Sequence, residues 1–265
     1  MMLFRNSKGT AIEHIRVSTL ASYFFCAHKA YLQAAEGIES PGNDATAEGS
    51  RIHDAITASR PPSLLEQQLE TYLKGFMVNI DTGQGGTALS NTENKVFARA
   101  WIVNGETKGF LTTHGIDDFR VNPDKSVVLV EYKTTSQKVI DWYKLSTALF
   151  QLKVYAWILE PILTVGGYRI EKAELVYLPQ QKRGEKHKEP WQLEPLGIRT
   201  IACGTQRDDY NAAAVEADIA MIFREFGNPG NMQPPARFKC YSCHPNYKAR
   251  CPLQSFQPQQ QVKPQ

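Results

Sequence analysis

A chain of 265 residues with 42% hydrophobic residues can bury a sizeable core, as one large domain or one domain with an accessory lobe. The formal net charge of +3 is too small to mark the whole surface as a nucleic-acid footprint, so any such site must be a local patch. No unbroken apolar run of eighteen residues and no signal-peptide core occur, which leads us to expect a cytoplasmic protein, away from membranes, whose cysteines stay reduced.

In chain order, Ser18 can cap a helix running to Gly37, with Cys26 in its middle. A second helix is expected over "TAEGSRIHDAITAS", stopped by Pro61 and Pro62, and a third over "SLLEQQLETYLKGFM". "DTGQGG" reads as a loop. From 94 to 135 the period becomes that of three or four strands, with turns at Asn104-Gly105 and at residues 122–125. A long amphipathic helix follows, ending before Pro161. Another strand covers "YRIEKAELVYLP" and leads to the charged loop "QQKRGEKHKEP". A last helix spans roughly 207–226, and residues 254–265 read as a disordered tail. Strands bracketed by helices predict a mixed α/β fold.

The strand "VVLVEYKTT" carries a motif. Side chains alternate along a strand, so Glu131 and Lys133 share a face and Tyr132 points away. A carboxylate and an ammonium so placed suit metal-assisted hydrolysis: the carboxylate holds a divalent cation, and the lysine orients water and offsets developing charge. The preceding strand, "GIDDF", offers Asp117 or Asp118 as a second acidic ligand. His53, four residues after Gly49, can add an imidazole. Gln151 and Tyr155 lie at i and i+4 on one helix face.

Three of five cysteines fall within residues 240–251, as Cys240-x-x-Cys243 with Cys251 eight residues on. Such spacing binds zinc or a cubane cluster equally well, and Cys26, far upstream, is the candidate fourth ligand. Cys203 fits no ligand position and reads as a packed, reduced thiol.

The ordered set Gly49-x-x-x-His53, Asp117, Glu131-Tyr132-Lys133 and Gln151-x-x-x-Tyr155 resembles the PD-(D/E)XK nucleases of the RecB exonuclease type. With Cys26 before it and Cys240, Cys243 and Cys251 after it, the chain is similar to the iron–sulfur subgroup. That subgroup includes the CRISPR-associated Cas-four nucleases, AddB and the Dna-two helicase–nuclease. "VSTLASYFFCAHKAYL" around Cys26 is also similar to the Cas-four N-terminus. The resemblance spans about residues 18 to 253. His114 departs from it, standing where the family has a glycine before the metal-binding aspartate; Asp117 is preferred over Asp118. The chain is also longer than a compact Cas-four protein, around 60–92 and 179–206.

The resemblance implies a restriction-endonuclease-like core, a single nuclease domain over residues 1–253. A 4Fe–4S cluster on Cys26, Cys240, Cys243 and Cys251 would join 15–40 to 227–253. It implies Mg2+ or Mn2+ held by His53, Asp117, Glu131 and the Tyr132 carbonyl. Lys133 would assist water, and Gln151 and Tyr155 would position phosphate or ligands. The implied activity is a DNA exonuclease, with single-stranded DNA favoured because Trp142, Tyr241 and Tyr247 can stack bases. Arg237, Lys239, Lys248, Arg250 and the loop residues Lys182, Arg183, Lys186 and Lys188 are candidate phosphate contacts. A CRISPR integrase complex, a recombination helicase or a viral replication complex are the partners implied. The rival expectation is a DNA-binding iron–sulfur module acting as a structural partner in a larger assembly.

Overall fold

The computed structural model describes residues 14–38, 44–79, 95–103, 106–113, 115–135, 142–180, 193–202, 210–232 and 243–251. Two four-stranded sheets carry the fold. In the first, β1 (His14–Arg16) runs parallel to β4 (Glu106–Thr113). That strand pairs antiparallel with β3 (Lys95–Val103), and β3 with β2 (Val78–Asn79). The second has the order β5 (Asp118–Val121), β6 (Ser126–Thr135), β7 (Arg169–Pro179) and β8 (Gly197–Ala202). Only its central pair, β6 and β7, is parallel, and a parallel pair needs a crossover. The helix α5 (Trp142–Val165) supplies it. The fold is mixed α/β, with mixed sheets flanked by helices.

Alternation along β6 explains its central place. Val127 and Leu129 join the main core with Leu152 and Leu159 of α5. Val128, Val130 and Tyr132 face the other way and join a second cluster with Val176, Leu178 and Ile52. Ile52 belongs to α3 (Asp44–Ser59), which must lie close to β6 to reach it. Gly49 permits that approach, because a Cβ there would stand 3.0 Å from Thr134 Oγ1.

The helix α4 (Leu64–Lys74) opens on a complete capping box: Glu66 N–H donates to Ser63 Oγ at 3.3 Å and Ser63 N–H to Glu66 Oε2 at 2.7 Å. The turn expected at residues 122–125 closes with Lys125 N–H donating to the Asn122 carbonyl at 2.9 Å. Asn104-Gly105, "DTGQGG", most of the charged loop and the tail lie outside the described residues.

Several expectations are corrected. The N-terminal helix is broken: α1 (Val17–Ala21), a 3-10 turn (Ser22–Phe24) and α2 (Ala27–Glu36) replace it. Cys26 is not mid-helix but the extended N-cap of α2, at φ −159° and ψ 110°. Ser22 Oγ donates to the Thr19 carbonyl at 2.7 Å, a local bond of the type that competes with helix continuation. Nor does Ser18 cap the first helix, because Arg16 pairs in β1 and the chain turns directly into α1.

The long helix does not stop at Pro161, which lies inside it. Proline removes the N–H that the Trp157 carbonyl would have accepted. The Arg99 guanidinium donates to that carbonyl instead and lies 3.8 Å from the Trp157 ring centroid. This helix is also not amphipathic. Leu145–Val165, with mean hydropathy 1.3, is long and apolar enough to cross a membrane by composition, yet it is mostly buried between the sheets. Finally, the last long helix, α6 (Ala212–Phe226), begins five residues later than expected, capped by Asn211. The strands β1, β2 and β8 were not anticipated at all.

Candidate active site

The register of β5 against β6 sets the chemistry. Asp118 sits opposite Val130, so it shares the Val130 and Tyr132 side of the sheet. There its Oδ1 accepts from Arg60 at 2.9 Å and its Oδ2 from the Tyr132 hydroxyl at 3.4 Å. Arg60 is fixed in turn by both oxygens of Glu66, each at 3.0 Å. Asp117, one residue earlier, goes elsewhere: its Oδ2 accepts the Tyr132 backbone N–H at 2.7 Å and lies 3.5 Å from His53 Nδ1. Gly115 shapes the approach to this position, with φ +141°, a conformation that L side chains rarely adopt.

Glu131 projects from the opposite face of β6 to Tyr132 and is 4% exposed. Its Oε1 accepts from the Lys133 ammonium and, at 3.1 Å, from Gln151 Nε2. Gln151 also donates to the Tyr155 hydroxyl, one turn along α5. Burial pushes the Glu131 carboxyl above the ordinary glutamate range; the Lys133 ammonium pulls it back, and the charge of Asp117 adds to the rise. Tyr155 is raised too, chiefly by burial and then by Glu131.

His53, Asp117, Glu131, Lys133, Gln151 and Tyr155 thus come together from α3, the start of β5, β6 and α5. The His53 Nε2 atom is buried and has no hydrogen-bond partner among the described residues. Two carboxylates and a backbone carbonyl are hard donors suited to Mg2+ or Mn2+, and the imidazole with an unused nitrogen adds a borderline donor. Among the described residues, no group of three or more His, Cys, Asp or Glu side chains is arranged to hold a metal ion. Glu131 is instead held by Lys133 and Gln151, and Asp117 by the Tyr132 N–H.

The segment that carries Cys243 and Cys251 packs on the helix that follows Cys26. A short helix, α7 (Pro245–Lys248), separates Cys243 from Cys251, and its Tyr247 is buried. The Lys29 ammonium lies 5.3 Å from the Tyr247 ring centroid, and Arg250 lies 3.6 Å from Glu36. These contacts set the segment with Cys243 and Cys251 against α2, which begins just after Cys26. Cys26, Cys243 and Cys251 are all half-buried. Cys240 and Cys203 lie outside the described residues, as do Arg237, Lys239, Tyr241, Lys182, Arg183, Lys186, Lys188 and the side chain of Trp142.

Sequence reading missed Arg60, which ties α4 to Asp118, and Thr113, whose hydroxyl bonds Tyr155. The Ser-x-x-Glu pattern at Ser63 and Glu66 was a legible signal for a helix start beside Arg60. Nothing local marked Thr113.

The chain matches the family model described as the PD-(D/E)XK nuclease superfamily over residues 14–252. No curated protein sequence matches it. Among solved structures, the crystal structure of SSO0001 is similar, with a TM-score of 0.43 and 17% identity, covering 92% of this chain and 88% of that one. A candidate exonuclease from Eubacterium rectale has a TM-score of 0.39 and 13% identity, with 88% and 86% covered.

Proposed function

The chain belongs to the PD-(D/E)XK nuclease superfamily, and from that premise we propose that it is a DNA exonuclease dependent on Mg2+ or Mn2+. The observation that carries this reading is the placing of Asp117 beside His53 and beside the strand that presents Glu131 and Lys133. His53, Asp117, Glu131 and the Tyr132 carbonyl would hold the cation, and the unpartnered His53 Nε2 supports that fit. A bound divalent cation polarises a phosphoryl oxygen and lowers the pKa of water.

The chain's own groups do the rest. Lys133 holds positive charge at the rim of the site, partly exposed, where it orients water and offsets charge developing on phosphate. Gln151 anchors Glu131 from α5, and Tyr155 accepts from Gln151, fixing that carboxylate's rotamer. The fixed geometry lowers the reorganisation needed when substrate binds.

The finer reading rests on the family resemblance. Residues 1–253 form one nuclease domain in a reducing cytoplasm. A 4Fe–4S cluster on Cys26, Cys240, Cys243 and Cys251 joins 15–40 to 227–253, which the packing of Tyr247 and Arg250 on α2 supports. Single-stranded DNA is the preferred substrate, and a CRISPR integrase complex or a recombination helicase the partner. The test is degradation of end-labelled DNA with Mg2+ or Mn2+ and with chelator. Metal-dependent release of nucleotides is expected; DNA binding with no cleavage under any metal would favour the structural DNA-binding module.

A further inference from the structure

A cleft of about 320 Å³ opens beside Asp117, between α4, the start of β5 and the inner side of β3. Most of its exposed surface is apolar, from Met77, Phe97, Ile116, Phe119 and Leu159, and the charged Arg60, Glu66, Glu70 and Lys74 also line it, beside Asp117 and Asp118. We propose that this cleft receives one unstacked nucleobase, that of the nucleotide next to the phosphate being cleaved. The inference rests on the nuclease reading of the neighbouring site.

Asp117 belongs both to the cleft wall and to the group facing Glu131, so a strand bound at the site reaches the cleft without crossing open surface. A phosphodiester would lose hydration among these apolar walls and gain little. A base has apolar faces that stack on rings such as those of Phe97 and Phe119, and this stacking tolerates any sequence. The volume is at the small end of the range for small-molecule sites and has room for a base. One polar group inside the wall is unused: Arg60 Nε is buried and has no hydrogen-bond partner among the described residues. It is a donor for the acceptor edge of a base. The rest of that guanidinium is held by Glu66, Asp118 and the Phe119 carbonyl, so the donor is fixed before substrate arrives. A paired base cannot enter, so the cleft selects single strands or frayed ends.

The test uses the full chain with Mn2+ and a single-stranded oligonucleotide in which one abasic residue is moved along the sequence. For the wild type, KM for the cut beside the abasic residue should rise roughly 5- to 150-fold, with kcat little changed, as expected for one lost stacking platform. Met77→Trp, which fills the half-buried rim of the cleft, should raise KM similarly on the intact strand and show no further rise on the abasic one. Circular dichroism and melting curves of Met77→Trp that match the wild type separate occupancy of the cleft from loss of the fold. A wild-type KM indifferent to the abasic residue at every position overturns the cleft, while cleavage of the intact strand keeps the nuclease reading. Absence of cleavage of any strand removes both.

Discussion

The backbone N–H of Tyr132 donates to Asp117 Oδ2 at 2.7 Å, while the hydroxyl of the same tyrosine donates to Asp118 at 3.4 Å. One residue of β6 therefore holds two consecutive aspartates in different surroundings. Asp117 keeps company with His53 and Glu131, and Asp118 with Arg60 and Glu66.

Asp117→Asn should reduce Mn2+-dependent DNA degradation by about two decades or more, the scale of losing a metal ligand. Asp118→Asn should retain metal-dependent cleavage but melt at lower temperature, because Arg60 loses a charged acceptor that is 13% exposed. Rates and melting curves measured on both variants check this. Equal loss of activity with unchanged melting in Asp118→Asn would contradict the assignment.

Glu131→Ala and Lys133→Ala should each lower the cleavage rate on the order of a hundredfold, since one removes a proposed ligand of the cation and the other the ammonium beside it. Circular dichroism should show both folded. Wild-type rates in clean preparations of either variant would remove that residue from the site.

Burial alone would raise the Glu66 carboxyl, but hydrogen bonds from Ser63 and Arg60, with the charge of Arg60, outweigh it and hold it below the ordinary glutamate range. The unfolded chain then takes up this proton more readily than the folded one, so the stabilisation is present above the unfolded value and lost as pH falls through the folded one. Glu66→Gln should cost on the order of 1–3 kcal/mol at pH 7. Its deficit in Tm should shrink as pH is lowered below about 4.5, the ordinary value for this carboxyl. A deficit that stays constant down to pH 3 would show that the loss is one of shape rather than charge.

Protein purified without oxygen should be brown, with iron and acid-labile sulfide each near four per chain, as a 4Fe–4S cluster on four thiolates requires. Cys26→Ala and Cys240→Ala should bleach it equally, and Cys203→Ala should keep the colour. Colourless protein with one zinc per chain would replace the cluster by a zinc site. A brown Cys26→Ala variant with full iron would exclude the N-cap of α2 as a ligand.

What the sequence determined by itself is what depends on near neighbours in the chain. Alternation alone puts Glu131 and Lys133 on one face of β6, and Gly37, the Pro61–Pro62 pair and the Ser63–Glu66 pair mark where particular helices stop and start. That residues 95–135 form strands, expected as three or four and found as four, and the turn at 122–125 were legible for the same reason. Only the tertiary structure decided which aspartate turns toward Glu131, because a one-residue slip of β5 exchanges the two faces and no local signal fixes that slip. It also decided that α5 runs through Pro161, since the acceptor left behind is satisfied by Arg99, 58 residues away in sequence. Arg60 became the tie between α4 and Asp118 through a separation of 58 residues. Pairings of that range form by packing and burial, which a pattern along the chain does not encode.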